Sequence, residues 1–475
     1  MIKYFRISLF LILIFSLNGI AQDLSYDKKM GAEGAKQVEQ AVGIYQDSAL
    51  TAYVNQVGAR LVDALGDGPF EFRFSVVEMA EPNAFALPGG YIYVSRGLLS
   101  LVNDEAELAG VIGHEMIHVT KRHSVKQMKK SIFPSLLQVP GAIVGVFNSN
   151  LGKAINAPFS LGSELFLSNY SRKQESESDE FGIRLASKAG YDPEKLAVML
   201  NNLSADVELL TGEEEKKSYF STHPITPKRV EDIGKEIPKL EWSEKTSIAP
   251  DKESLYTKLE GMVIGQNPAH GIFDENVFKH PDLDLAITFP EKWETVNVPV
   301  AVGAAQEDGE AQLVFMVDNS GGTPDSLGAV FTEMLQKEYK LKPDKSEPME
   351  INGFPAYKIT LVDKSGKQPV DIQIYWLKAG DILFNVMGMS YLKYSESMAN
   401  TVNSVRPLTE DEKQNISGLK LHHAIANENE NLEAFSKRTN NIWDPKTTAV
   451  KNGLETNTLL KEGQVLKIAV EESYF

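Results

Sequence analysis

The spacing of apolar residues divides the chain into a helical first half and a β-rich region after it. Between 24 and 66, apolar side chains recur every three or four residues, a period that predicts helices. Between 70 and 94 the period falls to two, which predicts strands. Helical spacing returns at Asp104 and continues to about Lys235. We therefore expect a mainly helical domain with a small β-sheet over 22–240.

The remaining sequence predicts an α+β domain and a small terminal module. Residues 241–275 have the mixed pattern of a connecting segment, and 409–418 form a polar linker before the module at 419–473. Between 276 and 408, short strand-like runs alternate with helical stretches. The predicted strands are Leu283–Phe289, Gln312–Val317, Ala356–Val362, Val370–Trp376 and Ile382–Met387, and the predicted helices are Leu327–Tyr339 and Tyr391–Val405.

Two apolar segments bear on the relation of the chain to a membrane. Lys3 and Arg6 precede the apolar run Ile7–Leu17, and the small residues Gly19 and Ala21 follow. This pattern predicts a signal peptide over 1–21, with a membrane anchor as the alternative, because the run is short for a spanning helix. A second apolar stretch, 131–147, is broken by prolines and glycines, and we interpret it as a buried or lid segment, with membrane-surface contact as the alternative. We expect an exported, periplasmic protein. If 131–147 contacts a membrane surface, the protein would be peripheral to that membrane.

Charge and cysteine content narrow the classes of function. The chain has 475 residues and a net charge of −17, and no dense stripe of Lys and Arg overrides that total, so a nucleic-acid partner is excluded. It contains no cysteine, which rules out disulfides and a lipid anchor on cysteine. Protein ligands of a metal would therefore be His, Asp or Glu.

The sequence His114-Glu115-Met116-Ile117-His118 carries a His-Glu-x-x-His motif. Two histidines four residues apart lie on one face of a helix, where both can bind one Zn²⁺, and the intervening Glu115 is placed to act as the catalytic base. Asp104 is a candidate N-cap for this helix. The alternative is a chance match on a structural helix.

A catalytic zinc site requires a third protein ligand from another element. Glu175 and Asp179 share one face of a predicted helix, so Glu175 can bind the metal while Asp179 supports a metal-binding histidine. Because Glu177 and Glu180 are also present, a solvated acidic face is the alternative for this helix taken alone.

Three segments together resemble a known family: 83–99, which contains Pro88-Gly89-Gly90-Tyr91; 114–123, the His-Glu-x-x-His segment; and 171–193. The chain is similar to the secreted bacterial branch of the gluzincin family that includes HtpX, BepA and the CaaX prenyl endopeptidase. The family's third motif is usually Glu-x-Glu-Ala-Asp, and Ser178 replaces its Ala here. The resemblance implies a zincin-type metalloendopeptidase with one Zn²⁺ per chain, Glu175 as a metal ligand and Asp179 in a proton-donor role.

Two further histidines lie near these motifs. Thr222-His223-Pro224, with Arg229 after it, resembles the family's His-Pro…Arg element. This resemblance implies a regulatory fourth ligand that closes the open metal position, while a packing role for His223 at a helix start is an equal alternative. His123 follows His118 by five residues, about 140° further around a straight helix, so we interpret it as structural.

The run Gly90-Tyr91-Ile92-Tyr93 predicts a strand near the metal. An exposed strand edge can pair with an extended peptide and read its backbone, so we expect these residues to bind substrate, with an ordinary core strand as the alternative. This mode of binding favours unfolded polypeptides as substrates.

The function that best fits these features is a zinc metalloendopeptidase that hydrolyses unfolded or misassembled envelope proteins, with outer-membrane or envelope complexes as partners. The C-terminal segment, with Asn452-Gly453-Leu454 and Gly463–Ile468, resembles the end of a LysM module, which implies peptidoglycan as a further partner. Two alternatives stay open: a chaperone or binding protein gated at its metal site, and a cell-wall-associated hydrolase.

Overall fold

The computed structural model describes residues 24–128, 170–209, 223, 226–364 and 366–475. Its described residues form two compact units: the first takes in those of 24–128, 170–265 and 419–471, and the second takes in those of 266–418 with 472–475. The predicted signal peptide and the apolar stretch 131–147 lie outside the described residues. No helix in the described ranges is both long and apolar enough to cross a bilayer.

The first unit is built mainly from helices, most of which pack around one large core. The helices are α1 (24–41), α2 (Ser48–Leu65), α3 (Arg96–Leu101), α4 (Glu105–Thr120), α5 (His123–Met128), α6 (Arg172–Ala189), α7 (Lys195–Val207), α8 (Pro227–Glu236) and α9 (Lys252–Leu259), with a 3₁₀ turn at Ile237–Lys239. Helix α4 lies at the centre, because every residue from Glu105 to Val119 is buried. It packs against α2, α6 and α7.

A three-stranded sheet accompanies these helices, with strands β1 (Arg73–Val77), β2 (Ala84–Leu87) and β3 (Tyr91–Ser95) in the order β1-β3-β2. Strand β3 pairs in parallel with β1 and antiparallel with β2, so hydrogen bonds occupy both of its edges. The prediction that Gly90, Tyr91, Ile92 and Tyr93 offer an edge to substrate is therefore wrong. Alternating apolar residues predict a strand, but they do not distinguish a central strand from an edge strand.

The second unit is built around an antiparallel sheet of seven strands in the order β11-β12-β13-β14-β10-β9-β8. These strands are β8 (Glu294–Val298), β9 (Ala301–Ala305), β10 (Ala311–Val317), β11 (Lys345–Ile351), β12 (Phe354–Asp363), β13 (Val370–Ala379) and β14 (Ile382–Tyr391). Helix α10 (Pro324–Lys337) packs on β12 and β13, and α11 (Ser395–Asn403) packs on β14. A smaller sheet contains β5 (Ile272–Asp274), β6 (Val277–His280) and β7 (Leu285–Thr288), and a short helix, α12, spans Glu410–Asn415.

The C-terminal segment joins the first unit. It has the order β15 (Ser417–Ile425), α13 (Leu432–Thr439), α14 (Pro445–Lys451) and β16 (Val465–Ser473). Strand β15 pairs with β16 and with β4 (Val263–Ile264), the last strand before the second unit in sequence. The second unit is therefore inserted between two paired strands of the first.

One buried lysine shows how closely the C-terminal segment is integrated. Lys467 of β16 is fully buried, and its ammonium donates to the carbonyls of Ser100 and Val102, each at 2.8 Å. These carbonyls lie at the junction between α3 and α4. The mixed α/β class with a helical first domain is confirmed, while the LysM-like interpretation of this segment stays a prediction.

Candidate metal centre

Helix α4 carries three of the predicted site residues. Asp104 caps the helix by accepting a hydrogen bond from the Ala106 N–H. His114, Glu115 and His118 follow in the middle and last turns, and all three are fully buried. Since the rest of the helix is packed into the core, the backbone that holds these side chains is fixed on all sides.

Helix α6 approaches α4 closely enough to place acidic side chains beside the histidines of α4. The two helices meet at Gly113 and Gly182: a Cβ added at Gly182 would lie 3.0 Å from the backbone nitrogen of His114. Glycine permits this approach because it has no side chain to hold the backbones apart. Glu175 and Asp179, which share one face of α6, are both buried on the side of α4.

Four side chains converge on one point. His114 Nε2 lies 3.0 Å from His118 Nε2 and 3.7 Å from Glu175 Oε2. His118 Nε2 lies 3.5 Å from Glu175 Oε1, and His223 Nδ1 lies 3.1 Å from the same oxygen. One candidate ligand atom from each of these residues lies within 4.8 Å of all the others. The structure therefore brings His223 into the same buried cluster as the three predicted ligands.

Asp179 and Arg229 support this cluster from one side. His114 turns its second nitrogen, Nδ1, toward Asp179 Oδ1 at 3.0 Å. Arg229 donates from Nε and Nη2 to the two oxygens of Asp179, both at 2.7 Å, and its Nη1 lies 2.8 Å from Glu175 Oε2. Arg229 comes from the first turn of α8, which begins with Pro227 after Thr226. A carboxylate behind a metal-binding imidazole fixes the orientation of the ring.

Glu115 lies beside the cluster and is not one of its converging groups. Its carboxylate is fully buried, and among the described residues neither oxygen accepts a hydrogen bond. His223 Nε2 lies 3.5 Å from Glu115 Oε1. A buried carboxylate in this position is available to exchange a proton with a substrate or a water molecule.

Burial and charge act in opposite directions on the acids of the site. Burial raises the pKa of Glu115, and His223 and His114 offset only part of that rise. Burial also acts to raise the pKa of Glu175, but the nearby His223, His118 and His114 outweigh it, so the pKa of Glu175 is lowered. The pKa of Asp179 is likewise lowered, because the hydrogen bonds from Arg229 and His114 outweigh its burial.

One aromatic side chain of this site, Tyr170, was not predicted from the sequence. Tyr170 is buried, its ring centroid lies 3.8 Å from that of His118, and its hydroxyl lies 2.8 Å from Ser124 Oγ. It immediately precedes Ser171, the N-cap of α6. An aromatic residue just before a helix is a common packing feature, so nothing in the sequence marked it as part of the site.

Comparison with known proteins gives the class of this part of the chain. Residues 48–237 match the family model described as Peptidase family M48. The chain is 26% identical over 218 residues to the beta-barrel assembly-enhancing protease of Escherichia coli, a match that covers 45% of this chain and 44% of that protein. It is 29% identical over 231 residues to the mitochondrial metalloendopeptidase OMA1 of Schizosaccharomyces pombe, covering 47% of this chain and 65% of that protein. It is 32% identical over 161 residues to metalloprotease LoiP of Escherichia coli, covering 34% of this chain and 61% of that protein.

These matches place a metallopeptidase domain in the first unit. The prediction of a metallopeptidase is confirmed for residues 48–237, and peptidases of family M48 use zinc. The chain spans less than half the length of the Escherichia coli beta-barrel assembly-enhancing protease and about two thirds or less of the other two relatives.

The residues present fit a bound zinc ion. His114, His118, Glu175 and His223 supply three nitrogens and a carboxylate oxygen, a donor set that zinc accepts. The site also buries three carboxylates, those of Glu115, Glu175 and Asp179, against the single guanidinium of Arg229 among the described residues. Buried charge requires compensation, and a divalent cation provides it.

Proposed function

We propose that this chain is a zinc metalloendopeptidase that cleaves unfolded or misassembled proteins of the cell envelope. The observation that carries the proposal is the buried cluster of His114, His118, Glu175 and His223, with the carboxylate of Glu115 beside it. His114, His118 and Glu175 are the proposed metal ligands, and Glu115 is the proposed catalytic base.

Each side chain has a distinct role in the proposed mechanism. Zinc, when bound, polarises the scissile carbonyl and makes water more acidic. Glu115 takes a proton from the attacking water and delivers it to the leaving amine. Asp179 holds His114 in orientation through Nδ1, and Arg229 holds Asp179. Tyr170 packs against His118 and contributes to the wall that keeps bulk water from the ligands.

Strand β2 (Ala84–Leu87) is the proposed docking edge for substrate. It lies at the edge of the three-stranded sheet and packs against α4, and within the described residues no strand pairs with its outer edge. An extended peptide bound there would be read through its backbone, so many sequences would be accepted provided that they are unfolded.

The envelope is the proposed location of the substrates. A relative is named a beta-barrel assembly-enhancing protease, and the predicted signal peptide agrees with export to the periplasm. By extension, proteins under assembly in the outer membrane are candidate substrates and partners. Peptidoglycan stays a candidate partner on the LysM-like resemblance of the C-terminal segment alone.

The position of His223 favours one alternative. Its Nδ1 lies among the metal ligands and its Nε2 lies 3.5 Å from Glu115, so it stands between the base and the metal position. A protein held in this arrangement would bind unfolded chains without cleaving them, as a chaperone gated at its metal site does. The rate of cleavage distinguishes the two functions.

Removal of the metal tests the proposed activity. We expect the purified full chain to degrade casein, an unfolded substrate, and to stop when a chelator removes the metal, because activation of water requires the metal. Adding back Zn²⁺ should restore cleavage. Gel analysis of the fragments measures both effects. Cleavage that continues at full rate in excess chelator would contradict the proposal, and binding of casein without cleavage would favour the gated chaperone.

His223→Ala tests the gate. If His223 fills the fourth metal position in the resting enzyme, its removal exposes that position, and the variant should cleave casein several-fold faster than wild type while keeping one zinc per chain. His280→Ala, in the other unit, is the matched control. Slower cleavage by His223→Ala would assign the residue to substrate binding or transition-state stabilisation. An unchanged rate with a lower Tm would make it a packing residue.

A further inference from the structure

A line of polar side chains runs outward from His118, on the side away from the ligand cluster. His118 Nδ1 lies 3.1 Å from His123 Nδ1, and His123 Nε2 lies 3.3 Å from Glu177 Oε2. The other oxygen of Glu177, Oε1, lies 3.1 Å from the ammonium of Lys121. His118 and His123 are buried, while Glu177 and Lys121 are each about one-third exposed. The line therefore connects a proposed metal ligand to the surface.

A local turn explains why His123 lies on this line. On a straight helix it would point about 140° away from His118. Helix α4 ends at Thr120, however, and Arg122 adopts a left-handed backbone conformation with φ of 57°. A non-glycine residue rarely adopts this conformation, and here Asp27 holds the Arg122 side chain in a two-pronged ion pair. The turn brings the ring of His123 back to a centroid distance of 4.9 Å from that of His118.

We propose that His123 and Glu177 form a positioning relay that fixes His118 in the tautomer and orientation required of a metal ligand. The proposal rests on the zinc site of the proposed function. It assigns His123 a role beyond packing, although His123 does not reach the metal ligands' meeting point.

The protons along the line can be assigned, starting from His118, so that each histidine donates to the next group outward. His118 presents Nε2 to the cluster, and a nitrogen that binds a metal carries no proton, so the proton of the neutral ring is on Nδ1. That N–H donates to His123 Nδ1, which must then be the unprotonated nitrogen of its ring. His123 consequently carries its proton on Nε2, which donates to the Glu177 carboxylate, and Lys121 donates to the same carboxylate. Every group on the line has a partner of the opposite kind.

His114 and His118 are thus supported differently. Behind His114 stands a carboxylate, Asp179, at 3.0 Å. Behind His118 lies the imidazole of His123, and behind His123 lies the carboxylate of Glu177. The carboxylate therefore orients His118 through His123, whereas Asp179 orients His114 directly. Ser178 Oγ also approaches His123 Nδ1, but at 3.4 Å it is the longer contact. Loss of such supporting partners typically weakens metal affinity by about 10–100-fold.

The experiment is a zinc competition titration of the purified full chain against a chromophoric chelator. His123→Leu keeps the volume but accepts no hydrogen bond, and should weaken zinc affinity about 10–100-fold. His123→Asn retains an acceptor oxygen and should recover most of that loss. Glu177→Gln should weaken affinity by less than about tenfold, because Glu177 is partly exposed. Ser178→Ala, the matched control on the same ring, should stay within about twofold of wild type.

A second readout separates positioning from general stability. In the Co²⁺-substituted protein, His123→Leu should shift the visible absorption bands, and Ser178→Ala should not. Affinity and spectrum unchanged in a folded His123→Leu variant would overturn the relay, as would a His123→Asn variant no better than His123→Leu. Should His123→Leu fail to fold, Glu177→Gln decides: zinc affinity and Co²⁺ spectrum both equal to those of wild type would overturn the relay. If wild type itself binds no zinc, the proposed function fails, and that result is distinct from failure of the relay.

Discussion

Glu115→Gln is expected to lose at least about 10²-fold in the rate of casein cleavage while it keeps its zinc and its fold. Glutamine has nearly the same shape as glutamate but cannot take a proton from water at neutral pH. The side chain is fully buried beside the ligand cluster, and its oxygens accept no hydrogen bond from the described residues, so the substitution disturbs little besides proton transfer. A peptidase assay at saturating substrate, with zinc quantified in the same sample, measures the effect.

Glu107→Gln provides a matched control for this substitution. Glu107 is a buried acid of the same helix, seven residues before His114, and its Oε2 accepts a hydrogen bond from the backbone N–H of Asn103. Glutamine can accept the same bond, so cleavage should remain close to that of wild type. Near-normal proteolysis by Glu115→Gln would remove Glu115 from the role of base, and an equal loss in both variants would point to damage to α4.

Sequence alone was sufficient for the parts of the site that depend on local geometry. His114 and His118 converge because residues four apart on a helix lie on one face, whatever the tertiary structure. Glu175 and Asp179 share a face for the same reason. That α6 packs against α4 was not evident from spacing, and the resemblance to a known family supplied it. The close contact at Gly113 and Gly182 gives the physical reason.

Features that depend on tertiary structure could not be predicted in this way. The position of β3 between two other strands depends on pairing between distant segments, which alternation does not encode. The contact of His123 with His118 depends on the left-handed turn at Arg122, and the helical pattern gave no sign of that turn. A lysine near the C-terminus, Lys467, reads as a surface residue until its carbonyl partners 365 and more residues away are known.

Short strands with mixed polarity were missed for a related reason. Strands β8 and β11 are at the two edges of the seven-stranded sheet, and their residues are mostly partly or fully exposed. Edge strands lack the clear alternation of strands with one buried face, so their sequences resemble loops. Strand β9, Ala-Val-Gly-Ala-Ala, is largely buried but has small side chains that carry little pattern.

Glu175→Ala is expected to lower bound zinc well below one per chain, and with it all metal-dependent cleavage. The carboxylate is the only oxygen donor of the four-residue cluster, and it lies within 3.7 Å of both His114 Nε2 and His118 Nε2. Its removal leaves three imidazoles and also frees Arg229 Nη1 from a contact of 2.8 Å, which leaves a positive charge next to the metal position. Both changes disfavour a bound cation.

Elemental analysis after dialysis measures the zinc content of Glu175→Ala, and a melting curve verifies that the variant is folded. Glu180→Ala is the control on the same helix, because Glu180 is exposed and pairs with Arg184 outside the cluster. It should retain one zinc per chain. Full zinc occupancy in a folded Glu175→Ala variant would exclude Glu175 from the ligand set, and the three histidines would then have to hold the metal without it. Such a site, with His223 as an essential ligand, would also predict that His223→Ala loses zinc, the opposite of the result expected for a gate.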